Sequence, residues 1–234
     1  MIASEIQKRL QALGDPQRAQ VQQKFFKTRP GEYGRGDIFI GLRVPEIRKL
    51  AMEYQTLALP EIIQLLQSPI HEARLLALLI LIRIYKSGDA SIQEQVYRAY
   101  LQNTRFINNW DLVDASAAHI VGAHLTNGGR DRLHALAKSN LLWERRIAII
   151  ATFHFVRRGE FSDTLSIAGL LLKDPEDLIH KAVGWMLREI GNRDQPKEES
   201  FLRAHYQIMP RTMLRYAIEK FPEGLRQRYL KGKI

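Results

Sequence analysis

Apolar residues recur at intervals of three and four positions along most of the chain, which is the spacing of one face of an α-helix. Runs of alternating β-branched residues, the pattern of strands, are scarce. One segment, residues 26–47, is irregular, and its helix-breaking residues are Pro30, Gly31, Gly34, Gly36 and Gly41. The pattern therefore predicts an all-α fold with one long loop near the N-terminus and helix again after Pro45.

From residue 60 onward the predicted helices come in pairs, each with a shorter first helix, a brief turn and a longer second helix. The second helices begin at "HEARLLALLIL", "WDLVDASAAHIV", "WERRIAIIATFHF", "LIHKAVGWMLREI" and "PRTMLRYAIEKF". The openings at Glu144 and Asp177 are about 33 residues apart, a period typical of helical-repeat solenoids. The chain is therefore predicted to be a single HEAT-like solenoid domain over residues 1–234, and a monomer because end repeats cap such arrays.

One charged position precedes the apolar stretch of each second helix. These positions are Arg74, Asp114, Arg146, Lys181 and Arg215. In a stacked array they are expected to form a column on the concave inner wall, basic except for Asp114. A basic column suits a DNA backbone, because each neutralised phosphate releases a counterion. The alternative is that these charges are solvated helix faces.

The composition agrees with a nucleic-acid partner without requiring one. Lys and Arg number 35 against 25 Asp and Glu, which gives a net charge of +10 and a pI near 9.9. The chain has no cysteine, so disulfides and thiolate chemistry are excluded and a cytoplasmic location is expected. The most apolar run, residues 75–85, is too short to span a membrane and contains Arg83, so no membrane association is expected.

Asp114 is the one acid of the column, and it shares a helix face with Trp110 in a segment predicted to be one helix over residues 107–125. Its carboxylate has two interpretations. It can form a structural ion pair with Arg146 of the next repeat. It can also stabilise an oxocarbenium-like transition state, the kind through which glycosidic bonds are cleaved.

A second tryptophan lies beside the column. Trp185 follows Lys181 by four residues and precedes Arg188 by three, so all three lie near one helix face. Each tryptophan can be core packing or an aromatic surface for a cation or a sugar. Other motifs are weak: "HEARL" lacks the second His of a zinc-protease helix, and "GEYGRG" lacks the strand–turn–helix context of a dinucleotide site.

With these segments in view, the chain resembles the bacterial DNA alkylation repair proteins of the AlkD type. The resemblance is carried by "FFKTRPGEYGRGDIFIGLRVPEIRKLA" (25–51), "WDLVD" (110–114), "WERRIAII" (143–150), "KAVGWMLREI" (181–190) and "MPRTMLRYAIEKF" (209–221). It implies a HEAT-like DNA glycosylase that binds duplex DNA on its concave surface and excises N3- and N7-alkylated purines. It also implies that no metal or cofactor is needed, and that the enzyme acts at the backbone and sugar without burying the flipped base.

The resemblance assigns roles by position. The family's catalytic Trp and Asp fall on Trp110 and Asp114, its essential Arg falls on Arg146, and its second Trp falls on Trp185. Double-stranded DNA with alkylated bases is the expected partner. The basic residues expected to contact it are Arg74, Lys181, Arg188, Arg211 and Arg215.

Two other functions stay open. The same superfamily includes proteins that bind DNA without excising a base, and a non-catalytic binder of branched or distorted duplexes needs the basic column but not Asp114. A protein-interaction scaffold, a common use of helical arrays, needs neither.

Overall fold

The computed structural model describes residues 2–234, and within them all regular structure is helical. Extended pairing in that range is limited to an isolated parallel bridge between Ile38 and Ile70. The helices pack in a repeat-like order, so the predicted all-α class is confirmed. None of the helices in the described chain is long and apolar enough to cross a bilayer.

The chain forms two compact units, residues 1–116 and residues 117–234. The predictions of a single domain over residues 1–234 and of a concave basic surface stay predictions. The helices that begin in the first unit are α1 (Ala3–Ala12), α2 (Pro16–Phe25), α3 (Val44–Glu53), α4 (Leu59–Leu66), α5 (His71–Ser87), α6 (Ala90–Gln102) and α7 (Trp110–Ala117). The predicted loop is confirmed between α2 and α3, as residues 26–43.

Helix α5 is the central helix of the first unit and packs against α1, α3, α4 and α6. Its sequence is apolar on every side over residues 75–82, as a helix surrounded by others requires. The polar residues of its first turn, His71, Glu72 and Arg74, are buried as well. Buried polar groups need partners inside the protein, so this turn is where the first unit departs from simple apolar packing.

The second unit repeats one packing scheme. Its helices are α8 (Asp131–Ala137), α9 (Leu142–Ala151), α10 (Phe153–Val156), α11 (Ser162–Leu170), α12 (Asp177–Gly191), α13 (Gln195–His205), α14 (Arg211–Ala217) and α15 (Glu223–Leu230). Helix α9 packs on α12, and α12 packs on α14, so the second helices of successive pairs are neighbours. All five second helices of the chain begin within one residue of their predicted starts.

The helix predicted over residues 107–125 begins later than predicted and is not a regular α-helix throughout. Helix α7 begins at Trp110, and the chain widens after it into a π-helical turn, Ala118–Gly122. The imidazole of His154 hydrogen-bonds to the backbone of Ala118 in this turn, and burial lowers the pKa of His154 to about 4. The neutral imidazole of His154 therefore hydrogen-bonds to the backbone of the irregular turn. The periodicity of the sequence does not predict this contact.

Helices α12 and α14 meet at Gly184. A Cβ atom at this position would lie 2.4 Å from the carbonyl oxygen of Met213 and 2.5 Å from the Cβ of Tyr216. Both contacts are far shorter than van der Waals distance and one of them is backbone, so the two helices approach each other closely only because this residue has no side chain.

Gly184→Ala is expected to lower the free energy of unfolding by about 1–3 kcal/mol, because the added methyl overpacks the contact between the two helices. The matched control is Gly169→Ala in α11, where an added Cβ meets no atom within 4 Å. That variant is expected to be neutral or slightly stabilising. Urea denaturation followed by circular dichroism compares the two, and equal effects would contradict the close approach.

Glu198 of α13 is a buried acid that destabilises the protein at high pH. It is 2% exposed, its Oε1 has no hydrogen-bond partner among the described residues, and burial raises its pKa to about 8. Because the folded pKa lies above the ordinary value of 4.5, the folded state binds the extra proton between these values, and stability is lost as the pH rises through that window.

At pH 8, Glu198→Gln is expected to be more stable than the wild type, with a free energy of unfolding at least ~1 kcal/mol higher, because the amide is never charged. At pH 4 the two proteins should be about equal, because the carboxyl is then protonated in both states. Thermal unfolding at the two pH values measures the difference, and a pH-independent gap would show that Glu198 does not titrate in this way.

Candidate active site

Helix α7 presents Trp110 and Asp114 on one partly exposed face, while Leu112 and Val113 between them are buried. The predicted Trp–Asp pair is therefore a real surface feature of the first unit. The helix is preceded by Asn109, which is fully buried and whose backbone carbonyl accepts a hydrogen bond from the N–H of Val113. Rings, amides and carboxylates from earlier in the chain fix the position of this helix start.

The indole of Trp110 is fixed by the loop of residues 26–43. The ring of Phe26 stacks on it with centroids 5.3 Å apart and an angle of 19° between the planes, and Phe25 makes an edge contact at 6.1 Å. The indole Nε1 donates to the hydroxyl of Tyr33 at 3.3 Å. The indole is thus held by one stacked ring and one hydrogen bond, and its direction does not depend on a ligand.

The loop itself is anchored on the first turn of α5 by Glu72. One carboxylate oxygen of Glu72 accepts hydrogen bonds from three successive backbone N–H groups, those of Ile40, Gly41 and Leu42, at 3.0, 2.8 and 3.3 Å. Gly41 has φ +87°, and a Cβ there would lie 2.1 Å from the carbonyl oxygen of Asp15. The loop path therefore needs both the buried acid and this glycine.

Asp37 lies at the centre of a buried polar network. Its carboxylate is paired with Arg74 Nη2 at 2.6 Å and receives the Nδ2 groups of Asn108 at 3.3 Å and Asn109 at 3.1 Å. His71 joins through Nδ1 at 3.2 Å. Burial opposes the charge of Asp37, but the hydrogen bond with His71 and the charge of Arg74 outweigh it, so the pKa of Asp37 is lowered and the carboxylate is ionised.

The network also includes Asp111, the second residue of α7. Its Oδ2 lies 2.8 Å from Nε2 of His71, so the imidazole has a carboxylate at each ring nitrogen. The two carboxylates lie on opposite sides of the ring and do not converge, and no group of three such side chains in residues 2–234 could hold a metal ion. We call the set the Asp37 network; its members are Asp37, His71, Arg74, Asn108, Asn109 and Asp111.

The prediction that Arg74 contacts DNA is wrong. The residue is 3% exposed, with Nη2 paired to Asp37 and Nη1 donating to the backbone carbonyls of Ser68 and Pro69 at 2.9 and 3.2 Å. The physical reason is that Asp37, a loop residue far away in sequence, is buried and needs a positive partner. The predicted column of exposed charges therefore does not include Arg74.

Asp114 lies near a buried phenol. Tyr100 is fully buried, and its hydroxyl is 2.9 Å from the Oγ of Ser116. Burial raises the pKa of Tyr100 and the negative charge of Asp114 raises it further, so the phenol stays protonated. The buried phenol behind Asp114 is therefore a neutral group.

In the second unit, α12 carries Lys181, Trp185 and Arg188 on one half-buried face, as predicted from their spacing. Lys181 pairs with Asp177 at 2.7 Å, and Arg188 pairs with Glu219. The indole Nε1 of Trp185 donates to Glu189 at 3.3 Å, and its ring lies 5.9 Å from that of Phe153. The side chain of Trp185 is thus partly buried against Phe153 and partly exposed to solvent.

The other predicted residues of the second unit differ in exposure. Arg146 is 5% exposed and donates to the carbonyl of Leu178. Arg211 is exposed and donates to the carbonyl of Leu230 at 2.7 Å, and Arg215 is exposed. Arg211 and Arg215 are therefore accessible to a polyanion, whereas the guanidinium of Arg146 is largely buried and hydrogen-bonded to the carbonyl of Leu178. The roles assigned to all three stay predictions.

Sequence reasoning missed His71, Glu72 and Asp37. A signal for them does exist, because polar residues in the first turn of α5 precede an apolar stretch that marks a buried helix. Such residues must have partners, and the nearby loop offers an acid, Asp37, and backbone N–H groups. The comparison of "HEARL" with a metal-binding pattern does not reveal these buried partners.

The fold and the α7 site define an all-helical repeat protein with a tryptophan–carboxylate pair at the start of one helix. A model of the family described as DNA alkylation repair enzyme matches residues 6–221, and the chain belongs to that family. The resemblance predicted from the sequence is confirmed. Membership supports a role in alkylation repair, with enzyme activity and with DNA as the substrate.

Among solved structures, the chain is similar to a protein from Enterococcus faecalis described as a predicted DNA alkylation repair enzyme. The TM-score is 0.68 at 16% sequence identity, and the match covers 90% of this chain and 97% of that one. At this identity the likeness shows a shared fold. A comparison with curated proteins finds no match.

Asp37→Asn is expected to lower the free energy of unfolding by about 3–5 kcal/mol, because it leaves the buried guanidinium of Arg74 without its counter-charge. The matched control is Glu94→Gln, which breaks an exposed pair with Arg98 on the same helix face and should change stability by less than ~0.5 kcal/mol. Denaturant titrations of the two variants test this. A small effect at Asp37 would mean that the network contributes little to folding.

Proposed function

We propose that the protein is a DNA glycosylase that releases N3- and N7-alkylated purines from duplex DNA by hydrolysis of the N-glycosidic bond. The observation that carries the proposal is the Asp114 carboxylate, partly exposed one helical turn from an indole whose direction is fixed by Phe26 and Tyr33. Family membership adds the alkylated-DNA context.

The chemistry fits a site with one carboxylate and aromatic rings. An N3- or N7-alkylated purine carries a positive charge and leaves as a neutral base, so the reaction needs little general-acid help. The remaining task is to stabilise positive charge on the deoxyribose and to position a water molecule. In the proposal Asp114 does both, and the indole face of Trp110 contacts the sugar or the cationic base.

The second unit contributes the DNA-binding residues of the proposal. Lys181, Arg188, Arg211 and Arg215 are proposed to neutralise phosphates, and the net charge of +10 gives such contacts a favourable field. At the positions that the family resemblance assigns, Arg146 is proposed to hold a neighbouring phosphate and Trp185 to contact the sugar or the cationic lesion. No cofactor is required by this scheme, because hydrolysis of a charged nucleoside consumes only water.

Asp114→Asn is expected to reduce single-turnover release of alkylated base by on the order of 100-fold or more, because it removes the charge that meets the developing cation. DNA affinity should be unchanged or tighter, since one negative charge that repels phosphate is lost. The matched control is Asp131→Asn, an exposed carboxylate at the start of α8 whose loss changes the net charge equally. It should leave base release unchanged.

The other functions predict different results in the same assay on methylated duplex DNA. No release by the wild type, combined with tight and salt-dependent DNA binding by both variants, would indicate the non-catalytic DNA binder. Absence of DNA affinity at low salt would indicate the scaffold. Equal loss in Asp131→Asn and Asp114→Asn would contradict a specific role for Asp114.

A further inference from the structure

His71 is a buried histidine with an aromatic ring or a carboxylate against each part of its imidazole. It is 2% exposed, and its ring stacks on Phe39 with centroids 4.4 Å apart and lies 5.2 Å from Phe26. Its Nδ1 is 3.2 Å from Asp37 and its Nε2 is 2.8 Å from Asp111. The ring therefore links the loop of residues 26–43 to the first turn of α7.

This geometry specifies the protonation state of the ring. A neutral imidazole has one N–H, so its other nitrogen would direct a lone pair at a carboxylate oxygen. An imidazolium donates from both nitrogens and satisfies both acids. Charge balance gives the same answer, because Asp37, Asp111 and the guanidinium of Arg74 sum to one excess negative charge that the imidazolium cancels.

We propose that His71 is a positioning residue: a buried imidazolium that ties α7 through Asp111 to the loop carboxylate of Asp37 and so sets the direction of Trp110 and Asp114. Two routes lead from the ring to Trp110. One is the hydrogen bond to Asp111, the neighbouring residue of α7. The other is Phe26, which contacts both the imidazole and the indole. The catalytic consequence rests on the glycosylase function proposed above.

The proton makes this arrangement depend on pH in a defined direction. Burial disfavours the charged ring and so does Arg74, but the hydrogen bonds with Asp111 and Asp37 prevail and the pKa of His71 is raised above 6.5. The contribution of His71 to the free energy of unfolding is therefore complete below the ordinary histidine pKa of 6.5 and is lost as the pH rises through the raised pKa. Asp37, Asp111 and Arg74 are the charged groups that act on the ring, and Phe26 and Phe39 pack against it.

Nitrogen-15 NMR of the histidine rings tests the protonation state without any assay of activity. The His71 signals are assigned by their loss in His71→Gln. The expected result at pH 7 is a ring with both nitrogens protonated, with deprotonation only at higher pH. A ring with one protonated and one bare nitrogen at pH 7 would overturn the proposal.

Two amide variants separate positioning from folding. The amide nitrogen of an asparagine reaches the place of Nδ1, and that of a glutamine reaches the place of Nε2. His71→Asn therefore keeps a donor for Asp37 and loses the bond to Asp111, whereas His71→Gln does the reverse. Both lose the charge. Neither strands a buried acid, because Asp37 keeps its other donors and Asp111 is partly exposed to water.

The proposal predicts different activities for these variants at similar stability. Single-turnover release of alkylated base by His71→Asn should fall by roughly 10- to 100-fold, because misplacement of reacting groups by a fraction of an ångström is costly. His71→Gln should lose less activity than His71→Asn, because it keeps the bond to Asp111 and loses only the link to Asp37 and the ring contact that both variants lack, and DNA affinity should be kept by both. Equal rates for the two variants would overturn a role exerted through Asp111.

The indole N–H signal of Trp110 separates failure of this inference from failure of the glycosylase function. It is expected to shift further in His71→Asn than in His71→Gln, whether or not the protein cleaves DNA, because only His71→Asn also loses the bond to Asp111. An inactive wild type would refute the glycosylase proposal, while this shift would still support the positioning role. An indole signal unchanged in His71→Asn would overturn it.

Discussion

The first unit depends on the burial of one negative charge. Asp37 is 3% exposed, and an unpaired ion in that position would cost several kcal/mol, a large share of the stability of a domain. It is therefore surrounded by donors from two parts of the chain: His71 and Arg74 in the first turn of α5, and the amides of Asn108 and Asn109 just before α7. A loop without regular structure and the start of α7 are placed together because both supply groups to this cluster.

The second unit is organised by shape more than by charge. Neighbouring helices approach where glycines remove side chains, at Gly184 against α14 and at Gly122, where a Cβ would lie 2.2 Å from the carbonyl oxygen of Ala151. The cationic residues proposed to bind DNA lie outside these helix contacts, so their charges are not buried in the core. In the first unit, buried polar contacts fix the direction of a carboxylate and an indole. In the second unit, closely packed helices carry positive charge on their exposed faces.

The helical class, the starts of the second helices and the Trp110–Asp114 face could be read from the sequence, because each is a local periodic feature. The pairing of Arg74 with Asp37 could not, since the partner lies in an irregular loop whose path is set by Glu72 and Gly41. The same reason explains why an exposed column was expected at Arg74. In sequence, an exposed arginine at a helix start cannot be told from a buried one. The buried carboxylate of Asp37 is what makes Arg74 a buried residue.

The contacts that fix α7 join residues far apart in sequence: Asp37 and Asn109 are 72 positions apart, and Tyr33 and Trp110 are 77. Repeat proteins ordinarily contact only the adjacent repeat and can be shortened one repeat at a time. The first unit cannot be trimmed in that way. A chain still emerging from the ribosome, or a fragment ending before Asn108, has the loop acid and the α5 cations but lacks the helix that completes their hydrogen bonds. Synthesis of α7 is then the event that closes the unit, so the candidate site forms only when the whole unit is present.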